Sequence, residues 1–567
     1  MTLNFPTAFI LILGGLILPF FSGSLRKMCL VFIPVVAFVH LLILPTGIYG
    51  ELQFIGYTLS SVRVDKLSQI FGYVFLIAAF LNAIYALHSD DVLQQAATFV
   101  YSGSAIGAVF AGDLITLFIF WELTAISSVI LIWARRTDRA YKSGMRYLIT
   151  HILSGMLLLI GAIFYAKSQD SIEFTSMSLD QPGVILIFIA FGVKSAFPLL
   201  HNWLHDAYPE STEIGTVALS VFSTKLGIYA LARGFAGTEI LIFIGAVMAT
   251  FPIFYAVIEN DLRRVLTYSL NNQLGFMVVG IGIGTELAIN GAVAHAFAHI
   301  LYKSLLFMSM GAVLFRVGTV NGSDLGGLYK SMPLTAFFCI IGAASISAFP
   351  LFSGFVAKSM IMSAALYKDH VFVWLVLLFA SAGVFHHAGI KIPFFAFFAH
   401  DSGFRCKEAP PNMLIAMGIA ATMCVGIGCF PDFFYQILPF AVNYKPYTWG
   451  HVLSQLQLLV FSALAFAVLM RTGIYPPELK SVNLDTDWIF RRIFRAISKK
   501  ANDSVFATYT SFCSNLKSQI LSLFEKIKHH HHPTGLLARN WPTSSMVMWV
   551  AIMLASYLLI YFLQLNV

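Results

Sequence analysis

Apolar runs of about 20 residues, the length a helix needs to cross a bilayer, recur along almost the whole chain between short polar stretches. They predict sixteen membrane helices, near 5–21, 28–48, 67–87, 93–112, 114–134, 144–166, 183–205, 213–235, 238–258, 265–284, 288–316, 333–367, 372–399, 412–434, 453–470 and 545–564. Two of these spans are interrupted. The seventh breaks near Pro198 and the twelfth around Pro350 and Gly354, because proline lacks a backbone donor and clashes with the preceding turn. At membrane depth such a break is tolerated only where protein or a cavity satisfies the freed backbone groups. The first run, Phe5 to Phe21, lacks a basic flank and a clear cleavage site, so it is expected to stay as a helix.

Composition agrees with this pattern. Of 567 residues, 58% are apolar and only 11% charged, far below what a soluble surface carries. The net charge of +8 forms no basic face of the kind that binds nucleic acid, and no nucleic-acid partner is expected. The six Cys are scattered without a CxxC pair, which argues against a metal site, a cluster or a disulfide framework. No GxxxxGK[ST] motif appears, and no cofactor is expected. Arg26/Lys27, the run Arg135 to Lys142, Arg263/Arg264, Lys330, Arg405/Lys407 and Arg491 to Lys500 all fall in loops of one parity. Lys and Arg collect on the cytoplasmic side, so both termini are expected outside. The acidic loop 88–92 is an exception on that side. Residues 484–528 mix basic and aromatic side chains (Trp488, Phe490, Phe494, Phe506, Phe512, Phe524), as in an interfacial amphipathic helix or a small cytoplasmic helical hairpin. His529 to His532 are expected to form a solvated loop.

Charges inside the apolar runs carry the chemistry. Glu122 lies in the body of the fifth span, and Lys194 and Lys225 stand deep within the seventh and eighth. A charge in hydrocarbon costs several kcal/mol, so such residues are expected to face a partner or a watery cavity. Pairing would keep Glu122 ionised beside a lysine, and lysines of matching depth are available. His295, His299 and Lys303 follow one another at i, i+4 and i+8, on one helix face. HxxxH also suits zinc, but Lys303 would repel the metal and no carboxylate follows at useful spacing; a proton relay is the better reading. Lys358 follows the second break, and His386, His387 and Lys391 lie in the thirteenth span, where they extend the row, bind a neighbouring subunit or snorkel. SAFPLL at the first break returns as SAFPLF at the second. Matching interrupted segments in two halves are the sign of a transporter repeat, inverted here because the two spans lie five apart, an odd number.

FWELT, VKSAFPLLHNWLHDAYPES, STKLGIYAL, NDLRRVLTYSLNNQLGF, HAFAHILYKSLLF and SGFVAK resemble, in order, signatures of the antiporter-like proton-translocating membrane subunits. That family joins the Mrp-type multi-subunit Na+/H+ antiporters, whose D-type component is the nearer match, with the large membrane subunits of complex I and membrane-bound hydrogenases. The resemblance implies an all-α core of fourteen helices with two inverted five-helix repeats, spans 4–8 and 9–13. The implied division is 1–92, 93–236, 237–400, 401–475, an interfacial or cytoplasmic segment 476–544, and a last helix 545–567. It also implies a relay of Glu122, Lys194, Lys225, His295, His299, Lys303 and Lys358, joined by His201, His386, His387 and Lys391. Other membrane subunits, H+ and Na+ are the implied partners, in a bacterial inner membrane. The chain departs from the family after HNWL, where His205 and YPESTEIGTVALS replace the usual proline and APxxxS turn. A redox-driven pump subunit and an inorganic-carbon-uptake partner are the competing readings.

Overall fold

The computed structural model describes residues 5–54, 56–480, 483–532, 534–535 and 542–564. They form two compact units, 1–483 and 484–567. The first opens with α1 (Thr7–Ile17), α2 (Gly23–Ile43), α3 (Lys66–Tyr85), α4 (Val92–Phe110), α5 (Leu114–Trp133) and α6 (Asp138–Gln169). The broken pair α7 (Val184–Lys194) and α8 (Asn202–Ala207) precedes α9 (Glu213–Gly234), α10 (Ile240–Ile258), α11 (Leu262–Ile283) and α12 (Glu286–Val317). A second broken pair, α13 (Pro333–Ile346) and α14 (Ser353–Tyr367), leads to α15 (Val371–Phe398), α16 (Pro411–Cys429) and α17 (Trp449–Thr472). Eleven helices among the described residues are long and apolar enough to cross a membrane. The protein is an all-α polytopic membrane protein.

Short polar side chains start many of these helices. Asp65, Asp91, Asp113, Thr137, Thr212, Asp261 and Thr285 each accept a hydrogen bond from a backbone N–H of the first turn, which satisfies donors that have no partner inside the helix. Burial sorts the spans into shells. The apolar window of α9 is 100% buried, against 39% for α6 and 11% for α17. The inner helices are therefore those that carry Lys225 and the His295–His299–Lys303 stripe.

The stretch between the second and third spans holds an antiparallel hairpin that apolar-run reading does not anticipate. Strand β1 (Gly47–Phe54) pairs with β2 (Tyr57–Val64). Its edge is fastened to the helices where Ser60 N–H donates to Asp113 Oδ2 (2.8 Å) and Gly112 N–H to the Ser60 carbonyl (2.9 Å). The acidic loop that broke the charge pattern is also accounted for. Asp90 pairs with Arg26 at 3.0 Å and Asp91 with Arg136 at 3.3 Å, so the loop's acids neutralise the basic loops at the same end.

The two hexapeptides fold alike. At the first, Ala196 and Leu199 take φ of 60° and 69°; at the second, Ala348 and Leu351 take 55° and 74°. Phe197 N–H reaches back to the Gly192 carbonyl (2.9 Å), and Phe349 N–H does the same to Ala344 (3.0 Å). Helices α10 and α11 touch through backbone: a Cβ added to Gly275 would lie 2.4 Å from the Ala249 nitrogen and 2.6 Å from the Gly245 carbonyl oxygen. Small residues at a crossing let membrane helices approach this closely. Gly275→Leu is expected to cut the yield of monodisperse, detergent-extracted protein severalfold, read by size-exclusion chromatography. Gly426→Ala, where the added atom meets nothing within 4 Å, is expected to leave it unchanged.

The second unit contains α18 (Asp487–His531), one continuous helix of 45 residues, and α19 (Thr543–Gln564). The helical-hairpin alternative for this segment is thereby excluded. The solvated loop expected at His529–His532 is also corrected. His529 to His531 form the last turn of α18 with Lys528, where basic side chains complement the carbonyl end of a helix.

Candidate functional site

Lys194 is the last residue of α7, placed there by the break that follows. Its fully buried amine donates to the Trp121 carbonyl (3.0 Å) and to Thr124 Oγ1 (2.5 Å) on α5, and lies 4.1 Å over the Trp121 ring. Glu122 belongs to the same turn of α5, yet the expected direct pair is not formed. The Glu122 carboxylate instead rests on α6, in a notch that exists because residue 155 has no side chain: a Cβ on Gly155 would lie 1.4 Å from Oε1. That oxygen is buried without a hydrogen-bond partner. The correction has a simple cause. A lysine at the end of a half-helix finds carbonyl and hydroxyl acceptors on α5 before it reaches the carboxylate. Glu122 and Lys194 remain within Coulombic reach.

His151, on α6, is a site residue that the sequence reading does not single out. It is fully buried between the rings of Tyr147 (4.3 Å) and Trp203 (4.4 Å), with neither ring nitrogen bonded, and within Coulombic reach of Lys194. A signal for it exists: a lone histidine inside the apolar ITHIL run.

Lys225 is fully buried in α9, its amine on the Ser220 carbonyl (2.6 Å) and Thr224 Oγ1 (3.3 Å). His295, His299 and Lys303 line the facing side of α12 and lie within Coulombic reach of Lys225. The ring centroids of His295 and His299 are 6.2 Å apart, and Tyr302 lies 5.2 Å from His299. Both nitrogens of His299 and the amine of Lys303 are buried without a protein partner. Buried polar groups are nearly always satisfied, so a seam of such atoms suits bridging water.

Beyond this group lie two further sets of buried ionisable side chains. Lys358, in α14, reaches back across the second break to the Ile346 carbonyl (3.2 Å), the end of α13, and stands 4.9 Å over the Phe276 ring. His387 is fully buried, beside the Gly383 backbone and within Coulombic reach of Lys303 and Lys391. It sits in a π-turn of α15, Phe385–Ile390, a helix distortion frequent at functional sites. His386 packs on Phe466 and Tyr475. Lys391 is bonded to carbonyls at the end of α10, those of Val257 (2.7 Å) and Glu259 (2.7 Å) among them. His201 sits in the first break against Phe251 (4.6 Å) and His205 (5.4 Å), while His205 stacks on Tyr268 (3.9 Å) and meets Thr267 Oγ1 at 3.0 Å.

Fold and site together define a polytopic membrane protein with an ionisable interior. The family described as NADH:quinone oxidoreductase/Mrp antiporter, transmembrane, matches residues 111–399, and the chain belongs to it. It is 29% identical over 356 residues to the D component of the Na(+)/H(+) antiporter of Alkalihalophilus pseudofirmus, covering 58% of this chain and 72% of that protein. To the L component of the NADH-quinone oxidoreductase of Campylobacter jejuni it is 25% identical over 505 residues, covering 83% of this chain and 81% of that one. Among solved structures, a chain of the Mrp complex from Dietzia sp. shares the fold, with a TM-score of 0.70 at 18% identity over 82% of this chain and 99% of that chain.

Proposed function

We propose that this chain is the proton-translocating subunit of a multi-subunit monovalent cation (Na+)/proton antiporter of a bacterial inner membrane, working among other membrane subunits. The observation that carries the reading is the meeting of Lys225 with His295, His299 and Lys303 at mid-span, all fully buried. Such groups are retained in a bilayer where they serve an ion path. Their mutual repulsion supplies the coupling: a proton gained at one position raises the cost of a proton at the next and drives it onward. Each charge moved across the membrane is worth about 2.3 kcal/mol per 100 mV. Glu122 and Lys194 bias one end, and Lys358 or His387 with Lys391 receives the proton at the other. The shared backbone of the two SAFPL breaks supports halves of one design, residues 93–236 and 237–400.

The test is antiport in sealed everted vesicles from a host without other Na+/H+ antiporters, carrying the whole complex. Added Na+ is expected to collapse a preformed pH gradient, read with a pH-sensitive dye. The alternative, a redox-driven pump subunit, draws on the broader coverage of the Campylobacter jejuni relative. It predicts acidification driven by NADH oxidation and no response to Na+.

A further inference from the structure

After α17 the chain turns at Gly473 and folds back along the bundle. Tyr475 N–H closes the turn on the Leu469 carbonyl (3.1 Å). Lys480 pairs with Asp324 at 2.9 Å, and Asn483 Nδ2 donates to Glu259 Oε2 at 3.0 Å. The strap is thus tied down on both sides of Glu478, which it presses inward. Glu478 Oε1 meets the amine of Lys391 at 3.0 Å, with side-chain exposures of 6% and 0%. Apart from this lysine, neither oxygen of Glu478 has a polar protein partner. Glu478 also lines a cavity of about 310 Å3, together with Ser323, Phe395, His400, Met470 and Tyr475. A space of that size, with Ser323, His400 and Glu478 among otherwise apolar walls, has room for several waters. Glu478 therefore stands between a buried lysine and this cavity, with its carboxylate oxygens buried on the lysine's side.

We propose that Glu478 is a proton-exchange group of this protein, passing protons between Lys391 and the water of the cavity beneath its own strap. The inference rests on the relay reading and adds an end to it. The Lys391 ammonium gives its proton to the carboxylate: the N–H bond breaks as the O–H bond forms, leaving a neutral pair. Cavity water takes the proton from the carboxyl, and His387 returns one to Lys391. No electrons move. Glu259, also within Coulombic reach of Lys391 and Glu478, keeps the lysine in place through the exchange, while Arg264 faces Glu259 at 3.9 Å. Burial raises the Glu478 carboxyl above its ordinary range, with Lys391 opposing, which suits a group that must hold and release a proton.

The experiment uses the whole complex in the same vesicles. Glu478→Gln is expected to reduce Na+-driven proton flux tenfold or more while the subunits still co-purify, and Glu478→Asp to retain a measurable fraction. The double variant Lys391→Gln with Glu478→Gln removes both charges and keeps their volumes. If the pair is only a structural clasp, this variant regains near-native flux, and the proposal is overturned. If exchange is its task, flux stays lost. Native flux in Glu478→Gln also overturns it. Lys225→Ala, run alongside, separates the two levels: if that variant is dead and Glu478→Gln is native, only the exchange group is wrong, whereas native flux in both removes the relay itself.

Discussion

Lys225→Ala is expected to lower proton flux at least ~100-fold, about 2.7 kcal/mol of added barrier, with the complex still assembled. Lys225 is the α9 group coupled to the His295–His299–Lys303 stripe of α12, so its loss removes the ionisable link between the two helices. The alanine variant also removes the amine's bond to the Ser220 carbonyl, and a packing defect would lower flux as well. Lys225→Arg resolves the two. Arginine keeps a cation and donors at the site but does not release its proton at physiological pH. A relay predicts that arginine is as inactive as alanine; a packing role predicts that arginine recovers much of the flux. Vesicle flux normalised to assembled complex decides between them.

Glu122→Gln is expected to reduce flux by about tenfold, ~1.4 kcal/mol. The amide matches the carboxylate in shape and removes the field that the ionised group exerts on Lys194. The notch over Gly155 makes a second, independent prediction. Gly155→Ala leaves every titratable group in place but fills the seat of the carboxylate. The end of a glutamate is flexible, so the residue moves rather than the helix, and the variant is expected to assemble normally with severalfold slower flux. Native rates in both variants would dismiss Glu122 from the path.

The spans are legible because a bilayer demands long apolar runs, and both breaks because proline at 198 and 350 cannot continue a helix. The charged positions are legible for the same reason: Lys194, Lys225 and Lys303 stand out against hydrocarbon. Partners are not. Residue spacing places Glu122 and Lys194 at one depth, but it holds no record of the glycine on α6 that draws the carboxylate aside. The hairpin at Gly47–Val64 carries little hydrophobic signal, so a search for apolar runs passes over it. Glu478 is invisible for a different reason. It lies in the short stretch IYPPELK after the core spans, and only the return of the strap onto α15 brings it to Lys391.

The left-handed residues at the two breaks bear on how the protein works. Ala196, Leu199, Ala348 and Leu351 occupy a region that costs a side-chain-bearing residue about 1–3 kcal/mol. Glycine would sit there at ease and would swing freely. With alanine and leucine, the surroundings hold both corners in one shape, making them stiff elbows rather than joints. On the relay proposed above, turnover in such a frame is carried by protons and the tips of side chains, while the helices themselves stand still.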